Sequence, residues 1–197
     1  QPFMRWLADR IVYLEGLDPQ HSERRRMALF TRPKFIAHAF LYRDTTPAPR
    51  DPPPLPTASR LDSVQWATLR SGPQLIGPMV LNVKGHAGRL THHKQPDKGN
   101  FQLHVRGEAF IITPGYYNSR PTDLNIPLID GKAGDMGERT NAPIVDLWEK
   151  GTWRGVSVDV TAPYAQSARA IRVLRHFVMV ADRAVVLLDD IQPAPNT

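Results

Sequence analysis

The sequence predicts a mainly β chain: an antiparallel β-sandwich from about residue 57 onward, preceded by a few α-helices. Three observations predict it. Apolar residues recur at helical spacing only near the start. A proline-rich stretch then interrupts the chain. Beyond it, short runs of Val, Ile, Leu, Phe and Tyr alternate with turn residues.

Taken in order, residues 3 to 17 read as helix. Phe3, Leu7, Ile11 and Leu14 recur every three or four positions, flanked by Trp6 and Val12, and Gly16 with Asp18-Pro19 ends the pattern. Shorter helices are expected over 22–30 and 34–42. These helices are too few to bury their own apolar faces, so they are expected to pack on something absent from this sequence. From Thr45 to Pro56 the chain holds Pro47, Pro49, Pro52, Pro53, Pro54 and Pro56. Proline removes a backbone donor and fixes φ, so this stretch sustains neither helix nor central strand. It reads as a linker and a domain boundary: 1–44 helical, 45–56 linker, 57–197 sandwich. Strands are expected over 64–70, 75–84, 101–106, 109–113, 156–160, 171–180 and 184–190. Hairpin turns are expected at Arg106-Gly107-Glu108 and Ala181-Asp182-Arg183.

Composition narrows the function. The 197 residues are 41% hydrophobic, enough for a buried core. No run approaches the roughly 20 apolar residues of a membrane helix. Cysteine is absent, which excludes disulfides and thiolate metal sites. The formal charge of +6 favours an anionic partner: nucleic acid, an acidic membrane surface or an acidic polysaccharide. No recognition-helix or RNA-binding aromatic motif supports the first.

One polar segment carries the chemistry. It runs from Gly85 through His86, Arg89, His92, His93, Gln95, Asp97 and Asn100-Phe101, continues over Gly107-Glu108 to Thr113-Pro114-Gly115 with Tyr116 and Tyr117, and reaches Leu124-Asn125 and Asp130-Gly131. A His-rich loop entering a strand is a common way to present polar groups from a rigid scaffold. His21, His38 and His176 lack such surroundings, and His104 reads as a strand-face residue.

This segment resembles the signature of the heparinase II/III-like polysaccharide lyases: a His-x-His-x-Asp stretch leading into a Ser/Asn-Phe strand, a Gly-Glu/Gln hairpin, an Asp-Pro-Gly turn and a His-Asn…Asp-Gly segment. His93, Asp97, Asn100-Phe101, Gly107-Glu108, Pro114-Gly115, Asn125 and Asp130-Gly131 fall on those positions. The later Asp159, Tyr164, Arg175-His176-Phe177 and Leu187-Leu188-Asp189-Asp190 are similar to the family's continuation. The likeness spans about residues 57 to 192.

The resemblance implies an (α/α) toroid whose last helices are residues 1–44, followed by a β-sandwich that Thr197 cuts short. It implies β-elimination on a uronic-acid-containing anionic polysaccharide, in a periplasmic or secreted setting. The toroid would complete the cleft, so the chain by itself is expected to be inactive. His93 takes the catalytic position. Arg89, His92, Gln95, Asn100, Tyr116 and Tyr117 are candidates for substrate binding, and Asp97 buttresses the loop. Family members that hold a structural zinc use positions occupied here by Gln95, Thr113 and Leu124, none of which supplies a favourable ligand. No cofactor and no metal are therefore expected, although His92 and Asp123 adjoin two of those positions. These losses favour the alternative, a non-catalytic carbohydrate-binding or pseudo-enzyme member of the same family.

Overall fold

A computed structural model describes residues 54–74, 78–88, 95–114, 120–135 and 140–195. The chain divides into two compact units, Gln1–Pro54 and Leu55–Thr197. Apart from Pro54, every described residue belongs to the second. The helices expected over 3–17, 22–30 and 34–42 lie outside the described residues.

The second unit is a β-sandwich of two antiparallel sheets. The first contains β1 (Ala58–Leu61), β2 (Trp66–Arg70), β3 (Met79–Lys84), β4 (Phe101–Val105) and β5 (Glu108–Ile111), in that spatial order. The second contains β6 (Ile144–Lys150), β7 (Trp153–Asp159), β8 (Ala170–Val180) and β9 (Ala184–Pro193), again in order. Each sheet is a meander, so every pairing joins strands that follow one another in sequence. Among the described residues there is one α-helix, α1 (Thr161–Ser167), and one 3₁₀ turn, Pro121–Asp123.

Alternation along the strands builds the core. On β3, Met79, Leu81 and Val83 are buried while their neighbours are half-exposed. Leu69, Leu81 and Leu103 stand in register across β2, β3 and β4, and all three are buried. The facing sheet supplies Val156 and Val158 from β7 and Val173, Phe177 and Met179 from β8 to the same cluster. Phe101 of β4 meets Phe177 of β8 edge-on, with centroids 5.2 Å apart, a favoured aromatic arrangement. Truncating Phe177, which is fully buried, is expected to cost about 3–5 kcal/mol.

Both expected hairpins form. Arg106 and Gly107 have φ of 52° and 84°, as a two-residue turn with both positions left-handed requires, and they join β4 to β5. Ala181-Asp182-Arg183 joins β8 to β9, whose register runs from Val180↔Ala184 to Ala170↔Pro193. The expected strands appear with shifted ends: β7 starts at Trp153 rather than 156, and β9 ends at Pro193 rather than 190. Of the strand expected over 75–84, the described part is Met79–Lys84.

The structure adds three elements the sequence pattern did not give: β1, β6 and α1. β1 reads Ala-Ser-Arg-Leu, and β6 carries Asp146, Glu149 and Lys150, so neither shows clean apolar alternation. Both are held by partners distant in sequence. Arg60 donates to the Ile144 carbonyl (3.2 Å), and the Ile144 N–H donates to Gln65 Oε1 (2.8 Å). Gly155 on β7 is buried beneath the Trp148 indole of β6, and a Cβ there would overlap the ring.

Candidate functional site

The polar segment singled out by sequence begins where β3 ends. Gly85 and His86 leave the first sheet and bridge to the approach to β6, through His86 N–H to the Ala142 carbonyl (2.7 Å) and the reverse bond (3.0 Å). His86 is buried, and its Nδ1 accepts the Gly88 N–H at 2.9 Å. Burial, then the positive charge of Lys98, hold its pKa below the ordinary histidine value. His86 therefore serves as a neutral acceptor that fixes the start of the loop. Arg89, His92 and His93 lie outside the described residues, as do Tyr116 and Tyr117.

The return of this loop toward β4 is locked. Lys84 donates to Asp97 Oδ2 at 2.5 Å, with the ammonium 5.5 Å from the centroid of the Trp66 ring. The Asp97 carbonyl accepts the Asn100 N–H (3.0 Å), Gly99 N–H reaches the Lys84 carbonyl (2.7 Å), and Lys84 N–H reaches the Asn100 carbonyl (2.8 Å). Asp97 thus buttresses the loop. Lys98 is also buried, donating to the Asp135 carbonyl (3.1 Å) and to Thr140 Oγ1. Gln95 is half-buried at the start of the locked stretch.

Asn100 is buried, and its Oδ1 accepts the backbone N–H of Asn125 at 3.0 Å. Asn125 in turn donates from Nδ2 to the carbonyls of Phe101 (2.9 Å) and Ile112 (3.4 Å). With Oδ1 engaged, the free capacity of the Asn100 amide is donor capacity: among the described residues its Nδ2 has no acceptor in hydrogen-bond reach. The segment carrying Asn125 is pinned two residues on, where Tyr164 of α1 donates to the Pro127 carbonyl at 2.6 Å. Burial pushes the Tyr164 hydroxyl up to about 12.

Arg175 ties these pieces to the second sheet. Its Nη1 donates to the carbonyls of Gly99 (2.7 Å) and Asn125 (2.6 Å), while Nε and Nη2 grip the Asp189 carboxylate at 2.7 and 3.2 Å. The guanidinium carbon lies 5.8 and 5.5 Å from the Phe101 and Phe177 ring centroids. The sequence placed Arg175 and Asp189 in the family-like continuation without a role. The signal that would have found them is an arginine on the inward face of a strand paired with an acidic residue in register on the next.

Of the three positions that hold zinc in some lyases of the resembled family, Gln95 is half-buried. Leu124 is buried and offers no donor atom. Thr113 Oγ1 accepts from Gln102 Nε2 at 3.3 Å. Among the described residues, no group of three or more His, Cys, Asp or Glu side chains is placed to hold a metal ion.

No protein-family model matches the chain, and no curated protein matches its sequence. Among solved structures it is similar to the heparan sulfate lyase HepC from Pedobacter heparinus, with a TM-score of 0.56 at 13% identity. The match covers 95% of this chain and 28% of that one, so the chain spans little more than a quarter of the lyase's length. At this identity the likeness is one of fold: the chain has a polysaccharide-lyase-like fold. Among the described residues no helix is long and apolar enough to cross a membrane.

Proposed function

We propose that the chain is part of a polysaccharide lyase that cleaves a uronic-acid-containing anionic polysaccharide by β-elimination. The observation that carries this reading is the convergence of separate motif segments. Asn100 from the first, Asn125 from the second and Arg175 from the third meet in one hydrogen-bonded group. The lyase-like fold and the net positive charge support it.

In such a reaction a base removes the proton at C5 of the uronate. The electron pair becomes the C4–C5 double bond, the C4–oxygen bond breaks, and an acid protonates the leaving oxygen. The C5 proton is too weakly acidic unless the adjacent carboxylate is neutralised or strongly hydrogen-bonded. His93 is assigned the proton transfer, since a histidine titrates near neutrality. Asn100 Nδ2 is assigned to a carboxylate or hydroxyl oxygen of the sugar. Arg89, His92, Gln95, Tyr116 and Tyr117 line the remaining substrate contacts on this reading, and a helical toroid supplies the other side of the cleft. No cofactor takes part, and a periplasmic or secreted location fits the polymeric substrate.

The runner-up is a carbohydrate-binding relative without catalysis. The buried, apolar Leu124, where zinc-holding lyases place a histidine, favours it. One assay separates the two. The protein, with the sequence that flanks it in its full-length form, is mixed with heparan sulfate, alginate and other uronate polymers. The ultraviolet absorbance of unsaturated uronate ends is then followed. Sustained product formation supports the lyase. Saturable binding with no product supports the runner-up, and neither signal rejects both.

A further inference from the structure

Arg175 occupies a costly position. Its side chain is 3% exposed, and a buried guanidinium is tolerated only when its N–H groups are met by acceptors. Here Asp189 takes Nε and Nη2 side-on, which fixes the plane of the group, and Nη1 alone bridges two carbonyls 26 residues apart in the same unit. One of those carbonyls belongs to Gly99, the residue before Asn100. The other belongs to Asn125, whose N–H holds Asn100 Oδ1. The bonds close a ring: guanidinium to Gly99, along the chain to the Asn100 side chain, across to Asn125, and back to the guanidinium. Within that ring the amide of Asn100 cannot rotate without losing its bond to Asn125, so its two donors keep one direction. Gly99 is required for the approach. It has φ of +81°, and a Cβ there would lie 2.8 Å from Val160 Cγ1 and 3.2 Å from Arg175 Cδ.

We propose that Arg175, oriented by Asp189, is a positioning residue that acts through the Gly99 and Asn125 carbonyls to aim the Asn100 amide at an acceptor oxygen of the substrate. What the amide meets rests on the lyase reading; the positioning itself does not. A carboxylate whose charge grows as the C5 proton leaves gains most from a donor already held in place, so a donor set free to rotate should lower turnover more than binding. Lysine keeps the charge of Arg175 but has no planar fork, so it cannot grip both Asp189 oxygens and both carbonyls together.

The test compares Arg175→Lys, Asp189→Asn and Asn100→Asp in two measurements. The first is amide hydrogen exchange of the 197-residue chain, read at the Asn125 N–H and at the core amides of Val156 and Phe177. Arg175→Lys and Asp189→Asn are expected to speed exchange at Asn125 by about tenfold or more relative to the core. Asn100→Asp keeps an acceptor for the Asn125 N–H and is expected to leave that exchange near wild type. The second is kcat and KM on a heparan sulfate oligosaccharide in the full-length protein. All three variants are expected to lower kcat by about ten- to a thousandfold with KM changed far less. If Asn125 exchange is unchanged, or rises only in step with the core, Arg175 is a stability residue and the proposal fails. If Asp189→Asn does not fold, Arg175→Lys decides the same question. If the wild-type protein shows no elimination on any uronate polymer, the lyase reading falls, and the exchange result alone decides the positioning role.

Discussion

Arg175 and Asp189 face one another as a directly paired couple on the β8–β9 ladder, and both carboxylate oxygens hold the guanidinium, at 2.7 and 3.2 Å. The arginine is the buried partner and the aspartate is partly exposed, so the two are not equivalent. Removing Asp189 leaves a buried cation without its counter-charge, whereas removing Arg175 leaves a carboxylate that water can reach. Asp189→Ala is therefore expected to destabilise the chain by about 3–5 kcal/mol. Arg175→Met, similar in length and apolar, should cost less in stability while still releasing the Gly99 and Asn125 carbonyls. Urea unfolding of the two variants checks the order, and equal losses would contradict it.

How far this arrangement was legible in the sequence differs by layer. Leu69, Leu81 and Leu103 lie in runs whose alternation marks strands, and the Arg106-Gly107 and Ala181–Arg183 turns are local signals, so the sandwich could be read directly. β1 and β6 could not. The bonds of Arg60 and Gln65 with Ile144 hold them in place across about 80 residues of chain, and no local pattern encodes such contacts. In the site, Asn100 and Asn125 were recognisable as motif positions. That one engages the other, and that Arg175 bridges both, depends on the facing of the two sheets, which residue spacing does not contain.

His86 makes the fold sensitive to acid. Burial first, then Lys98 and Lys84, lower its pKa in the folded chain, against the opposing pull of a bond to the Thr140 backbone and the charge of Asp97. The unfolded chain therefore takes up the proton first as pH falls. Stability linked to neutral His86 is complete above the unfolded value of about 6.5 and is lost as pH drops through the lower folded value. Protonation also turns Nδ1 from an acceptor into a donor, which breaks its bond with the Gly88 N–H. The denaturation midpoint is expected to fall between about pH 7.5 and about pH 5, and His86→Asn should flatten that fall. An unchanged pH profile in the variant would assign the acid limb to other groups.

Tyr164 has the opposite dependence. Its hydroxyl, pushed up to about 12 by burial, stays protonated in the folded chain while the unfolded tyrosine ionises near 10. The linked stability is present below about pH 10 and is lost as pH rises through about 12. Tyr164→Phe removes both this dependence and the bond to the Pro127 carbonyl. It is expected to cost about 1–2 kcal/mol at neutral pH and to weaken the alkaline transition. Circular dichroism at rising pH follows both effects.

Gly99→Ala is a local test of the close approach beneath Asn100. The positive φ strains any L side chain, and the added methyl would press on Val160 and Arg175. A loss of about 1–3 kcal/mol is expected, together with a drop in turnover beyond what the stability change explains. Gly151→Ala is the control, since its φ is also positive but nothing lies within 4 Å of the added methyl. If the two substitutions cost the same, backbone strain accounts for Gly99 and packing against Arg175 contributes little.

The sharpest test of the lyase reading is His93. It precedes by two residues the half-buried Gln95, where the described return of the loop begins, and by four the Asp97 that Lys84 locks. The ion pair and the Asn100 bonds hold the described end of that loop, Gln95 to Asn100, to its sheet. Well-placed proton transfer is worth about 10²–10⁴-fold. In the full-length protein His93→Ala is therefore expected to lower kcat by that order, with the unfolding midpoint and KM nearly unchanged. His92→Ala carries the same chemical change one residue earlier and is expected to retain most of the turnover. Activity lost in His92→Ala but kept in His93→Ala would move the catalytic position by one residue. Full activity in both would remove the sandwich from the chemistry and leave it a substrate-binding role.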